Sequence, residues 1–267
     1  MAASPLQQRV ATGLVLVAVA VGALWAGGYP FALLAAAAVL IMFTEWTAMQ
    51  RLPLLLRRMG LAVLAAAVWV SAVLGQPVDA LVLLGGGAGL LGLFAGRMQR
   101  GTGRPMALGL LYCGLPAVAL VWLRAAPWGF WATLFVMAVV WGADIAAYFT
   151  GRALGGPKLA PAISPNKTWS GAIGGLAGSL AVAGGMALLW PGYANAAGIG
   201  RLCALALPLA VASILGDLYE SALKRRAGVK DSGRILPGHG GVMDRLDGLV
   251  PAAVLGAGAF AMTGWAG

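Results

Sequence analysis

Histidine occurs once in this 267-residue chain and cysteine twice, and these scarcities remove whole classes of chemistry. Cys113 and Cys203 both fall inside apolar runs, so they read as packing residues, and no disulfide or zinc framework follows from them. His239 has neither cysteine nearby and cannot make a zinc site alone. Charge is scarce as well: 10% of residues are Asp, Glu, Lys or Arg, against about 25% in soluble globular domains. Acids nearly vanish from residues 1–127, where Glu45 and Asp79 are the only two. Gly85-Gly86-Gly87 with Gly89 is followed by no Lys-Ser/Thr, which excludes a phosphate loop. The spacing of a calcium-binding loop is also missing.

What remains is apolar. The chain is 61% hydrophobic with a mean hydropathy of +0.88, and its apolar runs repeat at about the 20-residue length a bilayer requires. They predict an all-α, polytopic integral membrane protein, because helices satisfy their own backbone groups in lipid. About nine transmembrane helices are expected, near 10–26, 29–49, 59–75, 80–96, 106–123, 128–150, 169–190, 201–220 and 247–265. The first run has only Arg9 before it and further spans after it, so it reads as a retained helix rather than a signal peptide. Of 18 basic residues, 16 fall at the N-terminus and after helices 2, 4, 6 and 8, and the other two are Arg124 and Arg201. By the positive-inside rule the N-terminus is cytoplasmic and the C-terminus outside. The net charge of +10 is then mostly topology, with attraction for anionic membrane lipid; it calls for no nucleic-acid partner.

The halves differ. Residues 1–127 read as N-terminal transmembrane scaffold helices with the dimer contacts, and residues 128–267 as a C-terminal catalytic transmembrane domain with cytoplasmic active-site loops. On the seventh helix Gly171 and Gly175, and Gly174 and Gly178, have small-xxx-small spacing, which fits close helix packing better than ligand contact.

Three polar clusters fall toward the cytoplasmic side. The first is Trp141-Gly142-Ala143-Asp144 with Tyr148, on the sixth helix. An ionisable residue inside a span is costly and marks a functional site by default; a helix-locking ion pair is the plainer reading. The second is Ser164-Pro165-Asn166-Lys167-Thr168, before the seventh helix. Asn166 or Thr168 can cap that helix, whose N-terminus attracts phosphate oxygens, and Lys167 adds positive charge; a capping loop alone also fits. Arg152 and Lys158 read as headgroup charges.

The third cluster, Asp217 to Asp247, holds 11 charged residues, including five of the eight acids, and the one histidine. Asp217, Glu220, Ser221 and Lys224 share one helix face, spaced i, i+3, i+4 and i+7. Asp244 and Asp247 repeat the i, i+3 spacing as the ninth helix begins. Bringing helices 8 and 9 together would gather up to four carboxylates, which repel unless a cation sits among them. Mg²⁺ suits such ligands, being hard and usually held by one or two carboxylates plus substrate phosphates. The alternative is that Asp217, Glu220, Asp244 and Asp247 simply pair with Lys224, Arg225, Arg226 and Arg245. Between the acids run Lys230-Asp231-Ser232-Gly233 and Pro237-Gly238-His239-Gly240-Gly241. Their glycines let backbone N–H groups turn around an anion. Lys224, Arg225 and Lys230 supply positive charge for a triphosphate or phosphomonoester. His239 either serves a phosphate, as hydrogen-bond donor or proton carrier, or holds the loop in shape.

The stretch SALKRRAGVKDSGRILPGHGGVMDRLD, residues 221–247, resembles the signature of phosphatidate cytidylyltransferases, the CDP-diacylglycerol synthases. It has Ser221, Lys224, Arg225, Lys230, Asp231, His239, Gly240, Gly241, Asp244, Arg245 and Asp247 in place; the Trp141 to Tyr148 and Ser164 to Thr168 stretches resemble the same family. The likeness is strong over residues 128–267, and helices 1–5 share little beyond hydrophobic character. It implies Mg²⁺-dependent transfer of CMP from CTP to phosphatidic acid, giving CDP-diacylglycerol and pyrophosphate, by a homodimer of the cytoplasmic membrane with its site facing the cytoplasm. It implies metal binding at Asp217 and Asp244, with Glu220 as a further candidate and K⁺ as a second ion. The catalytic candidates are Asp217, Asp244, Lys224, Asp231, Asp247 and His239. The substrate-binding candidates are Asp144, Ser164, Lys167, Thr168, Ser221, Arg225, Lys230, Gly240, Gly241 and Arg245.

Two rival functions are a CTP-dependent lipid kinase and a phosphotransferase that consumes CDP-diacylglycerol; the latter's DG…AR…G…D…D pattern is not found here. A transporter of phosphorylated solutes would show broken helices in matching positions of two halves, whereas here the charge lies in one half.

Overall fold

The computed structural model describes residues 5–236 and 240–263, with side chains from Thr12 onward. It is built of helices, as the apolar runs predict. Seven are long and apolar enough to cross a membrane: α2 (Gly28–Met49), α3 (Leu54–Leu74), α4 (Pro77–Met98), α5 (Gly103–Ala125), α6 (Gly129–Leu154), α7 (Trp169–Leu189) and α8 (Ala196–Ala227). The others are α1 (Pro5–Ala26), apolar from Thr12, the apolar α10 (Leu249–Met262), and a single turn, α9 (Met243–Leu246). Apolar side chains point outward as well as inward: Leu90 and Leu93 are 71% and 63% exposed, an arrangement that suits lipid and not water. This is an all-α polytopic membrane protein.

The chain divides into two compact units, Met1–Phe130 with Ala227–Leu246, and Trp131–Arg226 with Asp247–Gly267. In the first, α5 packs against α2, α3 and α4, and α3 also against α2 and α4. Trp46, Phe43, Leu64, Leu84 and Leu110 are its buried centre. Trp46 stacks on Tyr112 at 5.3 Å and donates its indole N–H to Pro105 O at 2.9 Å, so its polar edge is satisfied inside the bundle.

In the second unit α6 and α7 meet through glycines. Side chains at Gly174, Gly175 and Gly178 would run into Thr150, Ala143 O and Ala146, so the small-residue stripe brings two backbones together as its spacing predicts. Gly256 of α10 likewise faces Val136 of α6, and Phe135 meets Phe260 edge-on at 6.5 Å.

Three local features differ from the sequence reading. First, α3 starts at Leu54, directly after Pro53, so Arg57 and Arg58 lie on the helix rather than in a loop; a proline tolerates the position before a first turn. Second, Ser164–Thr168 is a strand, β2, paired antiparallel with β1 (Lys158–Ala160), where a loop is expected from Pro165. Third, α8 runs on to Ala227 instead of stopping near 220. Its 32 residues span about 48 Å at 1.5 Å per residue, well beyond a hydrocarbon core of about 30 Å. The charged face therefore continues the apolar helix. Lys224, Arg225 and Arg226 in its last turn complement the helix dipole, and Gly228, at φ +72°, ends it in the left-handed conformation.

Candidate active site

In the second unit, α8 presents Asp217, Ser221, Glu220 and Lys224 on adjoining turns. Asp217 forms an ion pair with Lys167, the fourth residue of β2. One turn on, Ser221 Oγ donates to Asp217 Oδ1 at 3.3 Å. The strand thus holds an ammonium against the helix carboxylate, and Thr168, which follows it, caps α7 by accepting the Gly171 N–H at 3.1 Å. Asn166, the other capping candidate, is exposed on the strand. Ser164 pairs with Ala160 in the ladder. Arg225 Nε donates to Ile163 O at 3.4 Å, linking the end of α8 to the β1–β2 turn.

Glu220, expected among the metal ligands, is fully buried and lies 2.6 Å from Lys224 Nζ, one turn away. That is the pairing the plainer sequence reading anticipates for this residue.

Asp247 occupies the link between α9 and α10 and accepts the Gly248 N–H at 2.9 Å. Burial, foremost, and then the Asp217 carboxylate push the Asp247 carboxyl up from 3.8 to about 7. Asp144 on α6 raises it further, while Lys167 and the Gly248 N–H oppose the shift. Three acids from α6, α8 and the α9–α10 link therefore share one electrostatic neighbourhood, with Lys167 as its cation. Gly216 and Gly248 permit it: a side chain at the first would strike Asp247 O and Pro251, and one at the second would strike Ser213.

In the first unit, the segment after α8 folds around two carboxylates. Asp244 accepts the Ser232 N–H, at 3.0 Å to Oδ2, and the Gly241 N–H at 2.8 Å. Glu45 of α2 accepts the Val242 N–H at 2.9 Å, the Met243 N–H at 2.8 Å and the Ser232 hydroxyl at 3.1 Å. Leu236 and Gly240 pair as an isolated bridge, and Gly240 at φ +83° supplies the turn. Lys230, Asp231 and Arg245 are exposed. His239 lies outside the described residues.

Among the described residues, no group of three or more His, Cys, Asp or Glu side chains stands close enough to cage a metal. The carboxylates present suit a hard cation that brings most of its ligands with it, as Mg²⁺ does with water and phosphate oxygens.

The sequence matches the cytidylyltransferase family over residues 7–262. The chain belongs to that family. Its relatives include the phosphatidate cytidylyltransferase of Brucella suis biovar 1 (strain 1330), 48% identical over 258 residues that cover 94% of this chain and 92% of the relative. The phosphatidate cytidylyltransferase of Pseudomonas aeruginosa is 38% identical over 275 residues, covering 97% and 98%. That of Haemophilus influenzae is 44% identical over 129 residues, covering 46% of this chain and 43% of the relative. The family match thus extends through α1–α5, beyond the region whose motifs carry the resemblance in the sequence.

Glu45 and Ser232 are the residues that sequence reasoning passed over. The signal for Glu45 was present, since an acid within an apolar span is costly wherever it lies. Nothing local ties it to its partner, however, because 187 residues separate Glu45 from Ser232.

Proposed function

We propose that this family member transfers CMP from CTP to phosphatidic acid, releasing pyrophosphate and forming CDP-diacylglycerol for phospholipid biosynthesis. Its near full-length similarity to phosphatidate cytidylyltransferases supports the reaction. The observation that carries it in the structure is the pairing of Lys167 with Asp217, beside Asp247 and within reach of the Asp144 field. Phosphoryl-group chemistry asks a protein mainly for positioning and charge neutralisation, and these residues offer both signs of charge.

A phosphate oxygen of phosphatidic acid attacks the α-phosphorus of CTP, the bond to the β-phosphate oxygen breaks, and pyrophosphate leaves with its electron pair. The attacking oxygen is already anionic, so no strong general base is required, and His239 is not assigned as one. Lys167 and Arg225 orient and neutralise phosphate oxygens, while Lys224 is held in place by Glu220. Asp217 and Asp244 are the proposed Mg²⁺ ligands, from their place in the sequence pattern and their donor chemistry, with K⁺ as a further ion. Such a cation, when bound, neutralises charge on the phosphate oxygens.

The finer assignments belong to the same proposal: about nine spans, a cytoplasmic N-terminus, a site facing the cytoplasm from the inner membrane, and a homodimer. The distribution of Lys and Arg supports the orientation. Purified protein in detergent, given CTP and phosphatidic acid with Mg²⁺ present or chelated, tests the reaction. Pyrophosphate and a CMP-bearing lipid should appear together and require all three; nucleotide binding with no pyrophosphate release on any phospholipid acceptor would overturn it.

A further inference from the structure

We propose that Glu45 is a positioning residue for the transfer reaction: from α2 it clamps Ser232 and residues 242–243 and so sets the orientation of Asp244. The inference rests on the proposed function insofar as Asp244 belongs to the transfer site.

Glu45 is 4% exposed, in a helix whose other side chains are mostly apolar. A buried carboxylate is tolerated where it is hydrogen-bonded. Here three donors come from two places on one segment, the Ser232 hydroxyl at its start and the Val242 and Met243 N–H groups at its end. Asp244 takes its own donors at the neighbouring atoms, the Ser232 N–H and the Gly241 N–H. The two carboxylates therefore bind the same two places on the chain, Ser232 and residues 241–243. Holding Ser232 and residues 242–243 fixes the N–H groups that aim Asp244.

A second observation is independent of those bonds. A side chain at Gly233 would place its Cβ 2.9 Å from Glu45 Cδ, and one at Gly241 would place it 2.7 Å away, both closer than real Cβ atoms approach. The segment lacks side chains where the Glu45 carboxylate needs room. Acidity matters besides size, because all three partners are donors. An amide of the same shape accepts through one oxygen and presents an N–H₂ group to at least one N–H or hydroxyl donor.

The test uses the full chain in detergent, comparing wild type with Glu45→Gln and Glu45→Ala by amide hydrogen exchange and by transfer kinetics. Exchange at residues 232–236 and 240–243 should accelerate at least tenfold in Glu45→Ala while α3–α5 amides stay as in wild type. The kcat should fall about 10- to 100-fold, the range for groups that orient a ligand side chain, with KM for CTP changed far less. Glu45→Gln should show the same pattern at smaller amplitude. Wild-type protection of those residues in folded Glu45→Ala would overturn the clamp. Faster exchange with unchanged kcat would also overturn the positioning role, leaving Glu45 as a structural anchor. If Glu45→Ala does not accumulate folded, Glu45→Gln and Ser232→Ala decide by the same two readouts. A wild type that makes no CMP-lipid would defeat the proposed function, and the exchange result would still decide the clamp.

Discussion

Both units bury carboxylates, but they treat them in opposite ways. In the first, Glu45 and Asp244 are met by N–H and hydroxyl donors from the segment they organise. In the second, Asp247 is pressed by Asp217 and Asp144, and the Asp217–Lys167 ion pair brings the opposing charge. Fixed donors hold a carboxylate in one place and one orientation, whether it serves the loop, as Glu45 does, or is aimed at the transfer site, as proposed for Asp244. Carboxylates set against one another repel, and added positive charge lowers that repulsion. The difference separates carboxylates that hold a loop from carboxylates that raise one another's proton affinity.

Removing one carboxylate from the second set should do most damage. Asp217→Asn deprives Lys167 of its partner and the site of a charge; turnover should fall about 10³-fold or more, since charge stabilisation by a bound cation is worth several kcal/mol. Helical circular dichroism and membrane insertion should be unchanged. Asp244→Asn should be comparably inactive, but by disturbing a carboxylate held by the loop, so exchange at residues 232–236 and 240–243 should rise in that variant and stay at the wild-type level in Asp217→Asn.

Lys167→Ala sharpens the contrast from the cationic side. Losing a charged hydrogen-bonding group, worth about 1.5–3 kcal/mol, should lower kcat/KM for CTP about 10- to 100-fold and leave insertion intact. Unchanged kinetics would reduce the Ser164–Thr168 strand to a cap for α7.

The acidic set also makes a pH signature. Burial, and then the Asp217 carboxylate, raise the Asp247 carboxyl in the folded protein from its ordinary 3.8 to about 7. Between those values the folded state binds more protons than the unfolded one, so stability of the metal-free protein falls as pH rises. The Tm measured across that window should decline toward neutral pH, and Asp247→Asn should flatten the slope. The smallest effect on stability is expected from Thr168→Ala, which removes a helix cap worth about 1 kcal/mol and should lower Tm by a few degrees.

The fold was legible because lipid imposes a length and a polarity on every span, and these show directly in α2, α4, α6 and α7. What escaped was decided by local continuity. The face shared by Asp217, Glu220, Ser221 and Lys224 was legible as helix from its spacing, but the end of α8 at Ala227 was not, because charge in a hydrophobic chain marks the limit of an apolar span. Ser164–Thr168 became a strand through pairing with Lys158–Ala160, which no periodicity in five residues announces. Within the site, Asp217, Lys167 and Asp144 stood out as charges in an apolar background, and the i, i+4 spacing of Glu220 and Lys224 foretold their pairing. Glu45 stood out in the same way, but its role did not, because its partners lie nearly two hundred residues away in sequence and only folding relates them.

The account is tested most directly by CMP transfer from CTP to phosphatidic acid measured across Mg²⁺ concentrations in wild type and Asp217→Asn. A saturable Mg²⁺ requirement in wild type, with no recovery in Asp217→Asn at any concentration, is the predicted result. Transfer that persists under chelation, or an Asp217→Asn curve that overlays wild type, would contradict it.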